Sequence, residues 1–376
     1  MSEPLTAPRR APRRYALPAA AGAGLLVALA LPFYLDRFWL QAGLFAMAAA
    51  IGAIGLNLLT GATGQLSLGH AFFLAVGAYG YCALAGGDEE GLTGLGLPTA
   101  VAAAGAVLLA GLAGGLLSPI AGRLSGAYLG IATLALIFIG QHLLFNADDL
   151  TGGYNGRAVP PLELFGYRFD DSEDVLLNVP FGAAEKLWYV GLALLVAGAL
   201  FARGVLRGRP GRAMNALRDH RIAAGVMGVP VARLRAGVFV LSSMYAGLAG
   251  VLLALVFQRT VPEYFGFVLS LEYLAMIVVG GLGSVAGAVL GAAFVSLLPQ
   301  VFMRYSESLP LVSATGDGGV APGEASRYLY GAAVVAVVLF LPGGLARLAP
   351  RRRTPEKKEP SDAEDAIQTQ TSAHRA

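Results

Sequence analysis

Charge is what this sequence has least of. Asp, Glu, Lys and Arg make up 14% of its 376 residues, against roughly a quarter in soluble domains, too few to cover a water-facing surface. There is one cysteine, Cys82, so an internal disulfide framework and a multi-cysteine metal site are both excluded. No G-x-x-x-x-G-K-[ST] phosphate loop occurs, which excludes ATP binding by that motif. No nucleophile–base–orienter set stands at plausible spacing, which argues against an intramembrane enzyme; no cofactor is expected on the chain, and no nucleic-acid partner. The apolar runs are continuous and do not alternate every second residue, which disfavours a transmembrane β-barrel.

What the sequence has is apolar bulk. Hydrophobic residues reach 56%, and 51 glycines and 20 prolines sit inside Ala/Leu/Val runs, with a mean hydropathy of +0.64. A chain this long has room for two or three soluble domains, but this composition predicts an all-α polytopic membrane protein. Runs of about 20 apolar residues give about ten transmembrane helices, at 15–35, 38–60, 62–85, 98–118, 126–146, 184–203, 234–257, 266–282, 284–302 and 326–346. The third and the 266–302 pair are Gly-rich and read as broken or re-entrant. The first span is too long for a cleavable signal and lacks a small-residue cleavage site.

The few charges are sorted. Arg9, Arg10, Arg13 and Arg14 precede the first span. The loop 204–233 and its flanks carry Arg203, Arg207, Arg209, Arg212, Arg218, Arg221, Arg233 and Arg235 against Asp219 alone, and six more Lys or Arg lie between Arg347 and Lys358. The positive-inside rule with ten crossings puts these regions and Arg123 in the cytoplasm, together with both termini. The opposite side is acidic, with Asp88, Glu89 and Glu90 in one loop and seven carboxylates in the loop 147–183. By side, 20 basic and 7 acidic residues face in, and 7 basic and 16 acidic face out, with Glu272 left inside a span. The chain thus divides into a basic N-terminus (1–14), a transmembrane domain (15–346) and a polar tail (347–376) that reads as disordered.

Residues 210–233, PGRAMNALRDHRIAAGVMGVPVAR, read as a short amphipathic helix at the inner membrane face. Ala213, Leu217, Ala224 and Met227 recur near helical spacing, and Arg212, Arg218, Asp219 and Arg221 supply the polar side. Pro210 suits a first turn, and Gly228 with Pro230 ends the run. Such a helix either lies on anionic lipid or docks in a groove of a cytoplasmic partner.

This stretch and the helix after it resemble the cytoplasmic loop of permease subunits of branched-chain amino acid ABC importers, of the M type. Four further stretches match that family in order: GLNLLTGATGQLSLGHAFFLAVGAY at 55–79, LSGAYLGIATLAL at 124–136, LTGGYNG at 150–156 and SLEYLAMIVVGGLGSVAGAVLGA at 270–292. The resemblance spans about residues 40–345. It implies a bacterial inner-membrane permease paired with a companion H-type permease, two cytoplasmic ATPase subunits, and a periplasmic or lipid-anchored substrate-binding protein. It also assigns ATPase coupling to Gly211, Arg212, Ala213, Arg218, Asp219, Ala223, Ala224 and Gly228, and binding-protein docking to Thr151, Gly152, Gly153, Asn155 and Gly156.

Inside the membrane, Gly64, Gln65, Ser67, Gly69 and His70 form one polar, Gly-rich stretch, and Gly281, Gly283 and Ser284 another. Gly281, Ser284 and Ala288 echo Gly64, Ser67 and Ala71, as in an internal repeat. The plain reading is close packing with interhelical hydrogen bonds; the sharper one is a translocation path. Glu272 lies a turn or two from the outer end of the eighth span and reads as a gate element or an interfacial anchor. Gln141 and His142 read as interfacial. Urea importers use permeases of similar pattern, so urea is the alternative cargo. An ion-coupled secondary transporter would need midplane carboxylates, and Glu272 alone, near one end, serves that reading poorly.

Overall fold

The computed structural model describes residues 13–348 apart from 88–90, 125, 165, 171–173, 177–178, 306–321 and 342. Arg9, Arg10, Asp88, Glu89, Glu90 and the tail beyond Leu348 lie outside the described residues. One unit runs to Ala346, and Arg347–Ala376 form a second.

The first unit is helical, as composition predicts. Its helices are α1 (Arg13–Ala30), α2 (Arg37–Leu56), α3 (His70–Ala85), α4 (Thr99–Arg123), α5 (Ala127–Asn146), α6 (Asp148–Thr151), α7 (Ala183–Arg207), α8 (Arg209–Asp219), α9 (Arg221–Val226), α10 (Val231–Phe257), α11 (Phe267–Gly280), α12 (Val285–Tyr305) and α13 (Pro322–Phe340). Among the described residues six are long and apolar enough to cross a membrane: α2 with its extension to Gly61, α4, α5, α7, α10 and α12. Four shorter apolar stretches, in α1, α3, α11 and α13, fall on the remaining predicted spans.

Two helices make the centre. The apolar window of α2 is 89% buried and that of α10 72%, against 17–33% in the other four long helices. Small residues let the neighbours approach α10 closely. A Cβ at Gly77 of α3 would overlap the Gly247 backbone of α10, and one at Gly250 would overlap the backbone of Leu74. Around this pair, Tyr245 of α10 donates its hydroxyl to the Gly198 carbonyl of α7 at 2.6 Å. Trp188 of α7 in turn donates Nε1 to the Ala28 carbonyl of α1 at 2.8 Å.

The third predicted span, 62–85, is corrected. Its helix begins only at His70, and residues 64–69 are not helical. Gly64 holds φ +70°, a region costly for side-chain-bearing residues, and ends the α2 helix there. The remaining 16 residues of α3 rise about 24 Å, less than the roughly 30 Å hydrocarbon layer. The predicted amphipathic helix is corrected too. It is two helices, because His220 adopts an extended conformation (φ −147°, ψ 96°) between α8 and α9.

The loop 147–183 has structure of its own. Glu163–Leu164 pairs antiparallel with Tyr167–Arg168, and Asp174–Leu176 with Val179–Phe181. Arg157–Ala158 pairs with Arg259–Thr260, tying the loop to the connection between α10 and α11.

Candidate functional site

Polar side chains in the apolar bundle gather at two breaks. The first follows α2. Residues Asn57–Gly61 form one π turn, a distortion that recurs at functional sites, and after Thr63 the chain runs unwound to His70. The second separates α11 from α12 at Gly281–Ser284, where Gly281 (φ +108°) and Gly283 (φ +79°) turn the backbone. Unwound backbone away from water needs partners for its N–H and C=O groups, and side chains supply them. Thr60 Oγ1 donates to the Gln65 carbonyl at 3.0 Å. The Leu68 N–H donates to Thr133 Oγ1 of α5, and the Ala71 N–H to Ser270 Oγ of α11, both at 2.9 Å.

Asn57 joins the two breaks. Its Nδ2 donates to the Ser284 carbonyl at 2.9 Å, and its Oδ1 accepts from the Gly283 N–H at 2.8 Å. Ser284 Oγ then accepts from the Gly287 N–H at 3.1 Å and starts α12. Asn57, at the head of the first break, and Gly283, in the second, are thus held together 226 residues apart along the chain. Beyond them α11 and α12 touch backbone to backbone: a Cβ at either Gly280 or Gly287 would overlap the other's carbonyl.

The helix α8 is seated on this junction. Arg218 Nη1 donates to the Gly61 carbonyl at 3.0 Å, and a Cβ on Gly283 would lie 3.5 Å from the same nitrogen. The buried face of α8 is Gly211, Met214 and Leu217. Of the residues expected on the apolar side, Ala213 is half-buried, Leu217 and Ala224 are buried, and Met227 is exposed. Arg212, Asp219, Ala223 and Gly228 are exposed, and Gly228 has φ +82°. A Cβ at Gly211 would overlap the Leu206 carbonyl, so its role is first to permit the α7–α8 turn. The solvent side of α9 is unexpected. Ile222, Val226 and Met227 are 84%, 82% and 83% exposed, an apolar ridge that follows the exposed Arg221.

The interior candidates are buried. Gln65 Nε2 donates to Thr63 Oγ1 at 2.9 Å, while Gln65 Oε1 and His70 Nε2 have no partner among the described residues. Ser67 is buried, and Gly69 packs on Thr133, whose carbonyl would lie 2.8 Å from a Cβ there. The His70 ring lies 4.9 Å, centroid to centroid, from that of Tyr273. No group of three His, Cys, Asp or Glu residues that could hold a metal occurs among the described residues. Glu272 lines a cavity of about 210 Å³ between α2, α10, α11 and α12.

At the far end of the bundle, the TGGYNG motif is first a structural joint. Thr151 Oγ1 donates to the Leu144 carbonyl at 2.6 Å and accepts from the Gly153 N–H at 3.1 Å. Gly152, Gly153 and Gly156 all hold positive φ, and a Cβ on Gly156 would overlap the Thr260 carbonyl. Arg259 donates to the Asn155 carbonyl at 2.7 Å and 3.0 Å. Only Tyr154 and Asn155 of the motif are exposed.

Several structural residues escaped sequence reasoning. Asn57 lies inside an apolar run, and nothing local marks its remote partner. Arg235, grouped by charge with the cytoplasmic arginines, is buried and caps α4 through the Gly122 and Leu124 carbonyls at 3.1 and 2.5 Å. Arg157, also buried, holds the Thr93 and Leu150 carbonyls at 2.8 and 3.0 Å. The exposed ridge on α9 had a signal, the i, i+4 pair Ile222 and Val226 within an Arg-rich loop.

The comparisons agree with this architecture. The family described as "Branched-chain amino acid transport system / permease component" matches residues 39–338. The chain is 33% identical over 295 residues to the high-affinity branched-chain amino acid transport system permease protein LivM of Salmonella typhimurium, covering 75% of this chain and 68% of that protein. It is 26% identical over 258 residues to the LivH permease protein of Escherichia coli K12, covering 68% and 82%. A shorter match of 142 residues, also 33% identical, links it to the autoinducer 2 import system permease protein LsrC of Klebsiella pneumoniae, covering 36% and 40%. No solved structure matches. With a family match over most of its length and apolar helices to carry it, this chain is a multi-pass membrane transport permease, not an enzyme, and belongs to the branched-chain amino acid transport system permease family.

Proposed function

We propose that this chain is the M-type permease subunit of an ATP-driven importer of branched-chain amino acids. In this reading it crosses the bacterial inner membrane ten times, with α8, α9 and both termini in the cytoplasm. It pairs with an H-type permease, and two ATPase chains provide the power. A periplasmic or lipid-anchored binding protein delivers the solute, docking at the exposed Tyr154 and Asn155 of the TGGYNG joint. Gln65, Ser67, His70 and the Gly281–Ser284 turn line the translocation path; the unpartnered Gln65 Oε1 and His70 Nε2 support this, since polar atoms in hydrocarbon are costly unless they serve a path or a partner.

The observation that carries the coupling role is the two-sidedness of α8–α9. One side bonds the Gly61 carbonyl through Arg218, at the junction of the two breaks. The other turns Ile222, Val226 and Met227 away from the bundle, and an exposed apolar ridge of this kind is what a partner or a membrane covers. An ATPase groove that closes on the ridge moves α8, and α8 moves both breaks together.

The test is ATP hydrolysis by the complete importer in nanodiscs, with its binding protein. Leucine stimulates hydrolysis in the parent complex, and Ile222→Asp with Met227→Asp abolishes both stimulation and ATPase co-purification while the permease still inserts. Normal stimulation in that variant would return α8–α9 to a lipid-binding role. Stimulation by urea and not by leucine would overturn the cargo.

A further inference from the structure

A cavity of about 210 Å³ opens between α2, α10, α11 and α12, at the end of α10 opposite to α8 and α9. Its size is below the roughly 300–1,000 Å³ of sites for drug-sized ligands and suits a solute of amino-acid dimensions. Aromatic rings from three elements form one wall. Phe45 of α2 and Phe257 of α10 lie 4.9 Å apart, centroid to centroid, and Phe257 stacks on Tyr264 at 4.5 Å. Glu272 of α11 also lines the cavity and is its one ionisable group besides the tyrosines. Its carboxylate makes no ion pair or hydrogen bond among the described residues. Tyr273, the next residue, also lines the cavity, and its buried hydroxyl likewise has no partner among them.

We propose that this cavity is a binding chamber for an aliphatic solute carrying an ammonium group, with Glu272 and the Phe45–Phe257–Tyr264 wall receiving the cation and the apolar lining taking its hydrocarbon body. The inference rests on the importer reading above and adds to it where in the permease the solute is held and by what chemistry. A carboxylate without a counter-charge in an apolar setting is costly, and an entering ammonium is the partner that relieves the cost. Aromatic faces attract the same group through their quadrupoles. No cationic side chain lines the cavity, so its side chains recognise the ammonium end of a zwitterion and leave the α-carboxylate to backbone N–H groups or water. Urea can also donate to the carboxylate, but it has neither the positive charge that the aromatic faces attract nor a hydrocarbon body for the apolar lining; leucine, isoleucine and valine have both.

The experiment measures leucine uptake and leucine-stimulated ATP hydrolysis side by side, on the complete importer with its binding protein in proteoliposomes. Glu272→Gln keeps the shape and removes the charge. It lowers uptake by about tenfold, the scale of one charge-assisted contact, while stimulated hydrolysis persists, because the loaded binding protein still docks. Glu272→Asp, which keeps the charge, recovers part of the uptake, and the melting temperature of the purified complex reports whether each variant folds. Folded Glu272→Gln importer that takes up leucine at the parent rate overturns the chamber and leaves the importer reading standing. Parent complex that shows no leucine stimulation overturns the importer reading itself, before Glu272 is in question.

Discussion

Removing the Asn57 side chain tests whether the two breaks form one junction. Asn57 is 2% exposed and makes two hydrogen bonds to the turn between α11 and α12, at 2.8 and 2.9 Å. Interhelical side-chain hydrogen bonds in membrane proteins average about 0.6 kcal/mol and reach about 1.7, so Asn57→Ala loses about 1–3 kcal/mol of stability. The upper part of the range applies if the Gly283 N–H and Ser284 carbonyl find no water. Arg218→Ala removes one bond to the Gly61 carbonyl from a side chain that is 43% exposed, and costs about 0.5–1 kcal/mol. The two side chains hold adjoining backbone, so the losses do not add. Once Asn57 is gone, the Gly283 turn drifts from Gly61 and the Arg218 contact weakens with it. A double-mutant cycle by unfolding of the purified permease in detergent therefore gives a coupling of at least about 0.5 kcal/mol. Additivity within about 0.3 kcal/mol, or an Asn57→Ala variant as stable as the parent, refutes the single junction.

Three other substitutions probe the cap of α4, the α11–α12 contact and the first break. Arg235→Met strips the cap from the α4 C-terminus, leaves the Gly122 and Leu124 carbonyls without their donor, and lowers stability by about 2–4 kcal/mol; the detergent melting temperature reads it, and Arg235→Lys recovers part. Gly287→Val forces α11 and α12 apart where their backbones touch, costs about 1–3 kcal/mol, and shows as a lower melting temperature and loss of monodispersity. Thr133→Val preserves shape but removes the acceptor for the Leu68 N–H; a loss of about 1 kcal/mol is expected, with Thr133→Ser close to the parent in the same assay.

Hydropathy made the helices legible because length and apolar content act locally. Six of the predicted spans hold helices long and apolar enough to cross a membrane, and the other four hold shorter apolar helices. Of the Gly-rich stretches flagged as broken, 62–85 unwinds at 64–69, while 266–302 breaks at 281–284, where its two predicted spans meet. What stayed hidden depends on contacts remote in sequence. Arg235 and Arg212 look alike in a charge census, yet one is buried under α4 and the other faces solvent, and only packing separates them. The break at His220 was hidden for a different reason. Nothing in LRDHRIAAG forbids helix by propensity, and the chain turns there although its local sequence would continue. The buried face of α8 consequently follows Gly211, Met214 and Leu217, and Met227, read as part of the same apolar stripe, points to solvent. The TGGYNG motif announced its glycines, but their service to an internal joint becomes visible only with Thr260 and Arg259, about a hundred residues later.

A chain with few polar groups has placed many of them where its helices stop. Thr60, Gln65 and Thr133 serve the first break, Ser284 serves the second, and Asn57 serves both. Helices packed through Gly and Ala faces slide against one another with little energetic signature, since one small-residue contact resembles the next. A side chain that bonds a particular carbonyl or N–H has discrete made and unmade states, and transmission between distant sites needs such an element. Asn57 and Arg218 are, in the importer reading, the side chains placed to supply it, where α8 meets the bundle. In the importer reading, motion of α8 reaches the path by making and breaking these bonds, so the rate of transport follows the strength of the junction and not that of the surrounding apolar contacts. A variant that tightens the junction is therefore as slow as one that dissolves it, and a mutational series there passes through an optimum.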